Sequence, residues 1–355
     1  MRALAIAVWF VPMAPAWAVD PFTVTGVPVD ATAESAAAAR ANALDNGQSA
    51  AYRLVLQRMT VAGDWPRLPR VDAPTLLGLV QGFEIADERT SATRYIAKLT
   101  VAFKRDGLRA LLRGNGVPFT ESVSRPTLVL PVFDPGTGPV LWESPNPWRE
   151  AWAKVNARDA LAPLLLPSGD AADLGAVATA DAIAGEASKL DPLARRYGAG
   201  SVLVAQATAA SGALQVTLTR YGLDTTQSIV ESFSGQVGSE LLASAANAIA
   251  TRFEEDWKRR TLIRFDAKSD LSATVLFANL AEWIQVRRRL ERSPEVPSFE
   301  IGTLTRHDAQ VVLHYFGEPS QLALALGQVD LTLTQRDGLW TLSVRPAADN
   351  AATTK

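Results

Sequence analysis

The chain has 355 residues, more than the about 100 to 200 that one domain usually takes, so length favours two or three domains. Lys+Arg total 35 against Asp+Glu 37, without the basic excess of a dedicated polyanion binder, and the absence of Cys with only two His excludes disulfides, thiol nucleophiles, iron–sulfur clusters and Cys-ligated zinc and disfavours an imidazole metal site or triad. Apolar residues at 48% and charged residues at 20% describe a chain that folds.

At the start, Arg2, the apolar run Ala3 to Met13 and Ala16-Trp17-Ala18 have the order of a secretory leader, cut between Ala18 and Val19. About eleven apolar residues cannot span a hydrocarbon core that needs about twenty, and Pro12 and Pro15 stop a helix early. No Cys follows, so the lipoprotein type of anchor is excluded, and no later segment is apolar enough to span a membrane. The expected location is the periplasm.

The first αβ unit, residues 19–120, opens with a strand over Phe22 to Val27. Asp30 then stands as a helix N-cap before a long amphipathic helix, Ala31 to Met59, with Ala37, Ala41, Leu44, Ala51, Val55 and Met59 on one face. Asn46-Gly47 leaves open a kink or break there, since the pair favours a turn. A Pro-rich loop follows over Asp64 to Pro74, then a short helix at Leu76 to Val80 and strands at Phe83 to Ile85 and Tyr95 to Phe103, the latter with Tyr95, Ala97, Leu99, Val101 and Phe103 on one face. A helix Arg105 to Arg113 ends at Gly114.

The second unit, residues 125–262, holds the continuous apolar run Leu128 to Phe133, a strand buried on both faces, with Val202 to Ala205 beside it. Between them lie the turn-rich Asp134 to Pro139, a helix from Trp148 to Val155, the run Leu164 to Leu166 and a helix capped by Gly198. Strands at Leu214 to Leu218 and Ile229 to Phe233 and a helix from Glu240 to Arg260 complete a mixed sheet with helices on both faces.

The third unit, residues 268–346, reads βαββαβ, a ferredoxin-like order closed by a hairpin at Arg336-Asp337-Gly338, before a tail at 347–355. Leu280, Trp283 and Ile284 stand at i, i+3 and i+4, so with Leu276 and Leu290 they are expected to face a four-stranded antiparallel sheet while Arg288, Arg289 and Arg292 face water.

Three groups of side chains stand out. Trp142, Asn146, Trp148, Arg149 and Trp152 form the densest aromatic patch, able to hold a planar ligand or a partner, or simply to pack the helix on its strand. Asp134, Glu143, Glu150, Asp170 and Asp173 could perform acid–base hydrolysis if two of them faced each other. Arg287, Arg288, Arg289 and Arg292, and Lys258, Arg259, Arg260 and Arg264, crowd two helix ends, as solvated cations at a C-terminal dipole do or as a phosphate site would. The third-unit strand Gln310 to Tyr315 lacks the aromatic signature of an RNA-recognition module, His307 and His314 have no ligand partner at metal spacing, and Gly198-Ala199-Gly200-Ser201 precedes a strand where a dinucleotide loop must follow one. No cofactor or metal site is expected.

The order of Ala-rich helix, Leu-Pro-Val-Phe strand, Trp142 to Trp152 patch, Pro167-Ser168-Gly169-Asp170 turn and Arg196-Tyr197-Gly198 cap resembles the bacterial family called domain of unknown function 2066, which has no assigned activity. More distantly, the first unit is similar to the N-terminal domain of flagellar outer-ring and small envelope lipoproteins. The second resembles the N-terminal domain of the Tol-system β-propeller protein and the curli-secretion lipoprotein. These likenesses imply periplasmic assembly or scaffolding. The expectation is therefore a non-enzymatic scaffold or interaction protein that binds another envelope component, with a periplasmic hydrolase using the middle-unit carboxylates as the alternative.

Overall fold

The computed structural model describes residues 19–210, 212–222, 226–263, 268–293 and 295–344, and shows a mixed α/β chain built on three sheets. The leader at 1–18, Arg264 and the tail at 347–355 lie outside the described residues.

The first unit runs β1 (Thr23–Thr32), α1 (Ala36–Met59), α2 (Ala73–Leu79), β2 (Val80–Thr90), β3 (Arg94–Phe103) and α3 (Arg105–Gly114), with an antiparallel sheet of order β1-β3-β2. The alternation of β3 places Tyr95, Ala97, Leu99, Val101 and Phe103 in the core, as expected. Asp30 is not the helix cap. The buried Val27 and Val29 carry β1 on to Thr32, where Asp30 takes a two-pronged contact from Arg94 (2.9 and 2.6 Å), and the cap is Ser35, whose Oγ accepts from Ala38 N at 3.2 Å.

Helix α1 passes through Asn46-Gly47 unbroken. Its buried stripe is Ala39, Ala43, Gly47, Ala51, Val55 and Met59, one residue every turn, so the expected Ala37 and Ala41 are exposed. A Cβ on Gly47 would lie 2.4 Å from Leu99 Cδ1 and 2.5 Å from Val29 Cγ1. The glycine is thus a contact device that lets the helix lie against the sheet, and its helix-propensity cost of about 1 kcal/mol is met by packing.

The second unit runs β4 (Thr127–Asp134), α4 (Pro147–Ala153), β5 (Leu164–Leu165), α5 (Ala171–Ala176), α6 (Thr179–Ala184), α7 (Ala187–Arg196), β6 (Ser201–Ala210), β7 (Ala213–Gly222), β8 (Thr226–Ser234) and α8 (Ser239–Thr261). Strand order is β5-β4-β6-β7-β8, with β4 parallel to both neighbours and the other pairs antiparallel. Thus Leu128 to Phe133 is an interior strand, buried throughout, with Val202 to Ala205 in register beside it. Its two faces feed two cores. Val129, Phe133, Leu203 and Ala205 meet α4 and α8, while Leu128, Leu130, Val132, Val202 and Val204 meet α6 and α7. Gly198 ends α7 at φ +64°, the left-handed turn its position requires.

The third unit runs β9 (Lys268–Leu276), α9 (Leu280–Arg292), β10 (Ser298–Leu304), β11 (Asp308–Phe316), α10 (Pro319–Gln328), β12 (Leu331–Arg336) and β13 (Leu339–Val344). The βαββαβ order is present, but the sheet has five strands, β10-β11-β9-β13-β12. The second arm of the Asp337-Gly338 hairpin enters between β9 and β12, parallel to β9, so the sheet is mixed where a four-stranded antiparallel one was expected. Helix α9 is rotated from the expected face. Trp283, Val286 and Leu290 are buried, whereas Leu276, Leu280 and Ile284 are exposed. Arg288 and Arg292 point to water, but Arg289 is half-buried and donates from Nη1 to Asp330 O at 2.9 Å.

Residues 117–126, which read as a boundary between units, form a buried strap in contact with all three. Thr120 N donates to Met59 O at 2.8 Å, Ser124 N to Leu161 O at 2.8 Å and Arg125 N to Gln328 Oε1 at 2.9 Å. Phe119 bridges Ile263, Trp257 Nε1 donates to Ser122 O at 2.7 Å, and Ser122 Oγ donates to the buried Glu295. Lys258, also buried, donates from Nζ to Gln57 O at 2.9 Å, so the end of α8 reaches the first unit.

Two stability measurements check this packing. Gly47→Val should cost about 1–3 kcal/mol as overpacking, seen as a lowered denaturation midpoint; no loss would mean that α1 stands off the sheet. Trp283→Ala should cost about 3–5 kcal/mol and Leu280→Ala less than about 0.5. Arg289→Ala should lie between them at about 1 kcal/mol, through its lost hydrogen bond. Equal effects at Trp283 and Leu280 would refute the helix orientation.

Candidate functional site

The aromatic patch goes mostly into the core. Trp148, Trp152 and Asn146 are buried, with the two indoles edge to face at 5.6 Å. Trp148 Nε1 donates to Ala205 O at 2.9 Å, opposite Pro131, a strand residue with no N–H of its own. Asn146 caps α4 by accepting from Arg149 N at 2.9 Å, and its amide donates to Pro131 O and Leu141 O at 3.1 Å each. Trp142 and Arg149 are half-exposed. Trp142 Nε1 donates to Val177 O at 2.7 Å, and Arg149 stacks 5.5 Å from the Trp142 ring while donating to Pro167 O at 2.6 Å. Trp142, Asn146 and Trp148 thus spend their polar groups on the protein itself, whereas Arg149 Nη1 and Trp152 Nε1 are buried without a hydrogen-bond partner among the described residues.

Of the five carboxylates, only Asp170 and Asp173 come together, and they do so around Arg196. The guanidinium donates to Asp170 at 3.0 and 2.6 Å and to Asp173 at 2.6 Å. Asp173 is fully buried, and its other oxygen accepts from Tyr197 OH at 2.7 Å and Gly169 N at 2.8 Å. The Pro167-Ser168-Gly169-Asp170 turn and the Arg196-Tyr197-Gly198 cap therefore form one cluster. Chemically it is a clamp, because the bonds from Arg196 hold the Asp170 carboxyl far below the usual carboxylate range and leave it no proton to donate. Asp134 accepts from Gly136 N in its own turn, and Glu143, lowered by the backbone N–H groups it accepts from, closes another, while Glu150 is exposed and apart.

The cationic groups sort differently. Arg287 pairs with Glu291 at 2.9 Å, and Lys258 is spent on Gln57, Glu254 and Glu255. A cavity of about 900 Å³ between α3, the strap and the third unit is lined by Arg105, Arg109, Glu121 and Glu295, but its charges cancel. Arg109 binds Glu121 at 2.9 Å and Arg105 binds Asp20 at 3.2 Å. Burial pushes the Glu121 carboxyl up against the opposing pull of Arg109.

What remains is a groove that sequence reasoning missed, between α8 and β8. Among the described residues strand β8 pairs with β7 alone and ends the sheet, and it exposes Ile229 and Val230. Where α8 diverges from it, Leu203, Leu218, Ile249 and Trp257 floor a cavity of about 90 Å³. Arg220, half-buried at its wall, stacks 5.2 Å from the Phe253 ring and donates to a neutral partner, Ser201 Oγ, at 3.2 Å. Arg260 lies on the rim, close enough that its charge adds to burial in pushing the Arg220 guanidinium down from its ordinary value. Arg252 there is paired with Glu231, and Asp256 faces Arg259 at 3.7 Å, but among the described residues no carboxylate pairs with Arg220 or Arg260. The only signal in the sequence was the adjacent apolar pair Ile229-Val230 in a strand.

Comparison with protein families, curated proteins and solved structures returns no match for the chain.

On β11, His314 gives Nδ1 to Asp270 Oδ1 at 2.6 Å and lies 3.5 Å from Glu300. The hydrogen bond to Asp270 raises the imidazole above its ordinary value. A folded-state pKa raised above the unfolded one makes the pair stabilising below the ordinary imidazole range, and that stabilisation is lost as pH rises through the raised value. Proton NMR should find His314 titrating above the usual range, and His314→Gln should flatten the stability profile across that window; an unshifted titration would contradict the pairing.

Proposed function

We propose that this is a non-enzymatic scaffold or interaction protein of the bacterial cell envelope, exported by the leader at 1–18 and holding a partner in the groove between α8 and β8. The observation that carries this reading is the groove itself, in which an unpaired sheet edge adjoins an apolar cavity and two guanidiniums without carboxylates. The resemblance to domain of unknown function 2066, resting on motifs that here form the Arg196 clamp, and the likeness to envelope-assembly domains support the location. Against the hydrolase alternative stands the chemistry of its candidates, since in the one adjacent pair both carboxylates are bonded to Arg196, which holds the Asp170 carboxyl far below the usual carboxylate range.

Site-specific photocrosslinking in cells tests both halves. A benzoylphenylalanine at Ile229, exposed in the groove, should give one discrete adduct that Arg260→Gln abolishes, whereas the same group at Leu77, exposed on the first unit, should give none. N-terminal sequencing of the secreted-fraction protein should begin at Val19. Equal adducts from both positions would refute the groove as the docking site, and an intact Met1 in the cytoplasm would refute export.

A further inference from the structure

The groove that the preceding reading assigns to a partner has a chemistry that narrows the occupant, and this step rests on that reading. Three features converge between the second half of α8, Ile249 to Arg260, and the strands β7 and β8. First, among the described residues β8 has a strand neighbour on one side only, so its other edge offers main-chain donors and acceptors to an extended peptide. Second, side chains of an added strand alternate, so one in two would point toward α8 and the apolar floor. The cavity there measures about 90 Å³, less than the roughly 150 Å³ that holds a benzene ring, which is room for one aliphatic side chain and too little for a long acyl tail. Third, Arg220 and Arg260 stand at the same cavity with no carboxylate between them, while Glu231 and Asp256 on the adjoining walls are already taken by Arg252 and Arg259.

An occupant must therefore carry an anion within one residue of an apolar side chain, on a backbone able to join a sheet. A free fatty acid has the anion but neither the size nor the backbone. An internal acidic residue carries its charge on the same side chain that would have to fill the apolar floor. A polypeptide C-terminus has all three features, because its last side chain and its α-carboxylate leave the same Cα atom. We propose that the groove between α8 and β8 binds the C-terminus of a partner polypeptide ending in an aliphatic residue, the last side chain filling the cavity and the carboxylate lying between Arg220 and Arg260.

Fluorescence anisotropy with the chain from Val19 to Lys355 checks this, using labelled hexapeptides of mixed upstream sequence ending in Leu or Val. The free acids should bind, and the C-terminal amides of the same peptides should bind at least tenfold more weakly. Arg260→Gln, on an exposed rim residue with no structural bond to lose among the described residues, should remove most of the difference between acid and amide. A hexapeptide copying residues 350–355, which ends in Lys, should bind no better than the amides. Should acid and amide bind alike, or the Lys-ending peptide match the Leu-ending one, the C-terminal assignment is overturned. No peptide binding, together with an Ile229 adduct that maps to an internal segment of its partner, would also overturn it and leave the docking groove standing. Absence of both peptide binding and an Arg260-dependent adduct would remove the groove reading as well.

Discussion

A ten-residue strap holds the molecule to one arrangement. Residues 117–126 run through the centre with Thr120, Glu121, Ser122 and Ser124 buried, although four polar side chains in a row of five are what an exposed linker would carry. Buried main-chain and side-chain polar groups must find partners, at about 1–3 kcal/mol for each one left unmade. This strap has no sheet to supply them. Its partners come from the end of α1, from the 161 loop and α8, and from the segments around Glu295 and Gln328. Each unit thus completes the polar satisfaction of a segment that belongs to none of them. The three sheets have hydrophobic cores of their own, and they are coupled through hydrogen bonds that only the assembled chain can make and through a small apolar cluster in which Leu161, Ala162 and Trp257 meet Val123 of the strap and Leu324 of α10.

The same strap explains where sequence reading stops. Leu128 to Phe133 was legible because six apolar residues in a row have one sensible home, between two helical layers, and the β3 alternation was legible because its period is two. Thr-Glu-Ser-Val-Ser carries no such period, and its burial follows from long-range partners up to about 200 residues away along the chain. Gly47 misled for a related reason. Local propensity reads it as a break, whereas the approach of Leu99 and Val29 makes any larger residue too big. Helix α9 carries apolar residues at 280, 283, 284, 286 and 290, more than one face can bury, and the five-stranded sheet takes Trp283, Val286 and Leu290. The insertion of β13 turns on hairpin order, which hydrophobic pattern does not encode.

The site candidates divide along the same line. Indole and carboxylate clusters were visible as neighbours in sequence, and the structure uses them locally. Trp148 braces a strand at a proline, Asn146 and Asp170 cap helices, and Arg196 ties two turns. The groove was invisible because Arg220 and Arg260 lie forty positions apart, one on a strand and one at a helix end where a cation is unremarkable beside the helix dipole.

Charge placement gives the groove its meaning. Many guanidiniums meet a carboxylate, and exposed pairs of that kind are worth little individually. Burial pushes Arg58, Arg149 and Arg220 down, each bonded to a neutral oxygen, but nearby carboxylates pull Arg58 and Arg149 back up, whereas Arg260 pushes Arg220 further down. Arg220 is half-buried over an aromatic ring, it has a like charge beside it, and its one hydrogen-bonding partner is a neutral hydroxyl. Such an arrangement is unfavourable in the empty protein, because desolvation and repulsion both act against the charged form. An anion placed between the two guanidiniums would screen their repulsion and give Arg220 the charged partner it lacks, offsetting the cost of its burial. The occupant proposed for the groove brings that negative charge to a position the apolar floor defines.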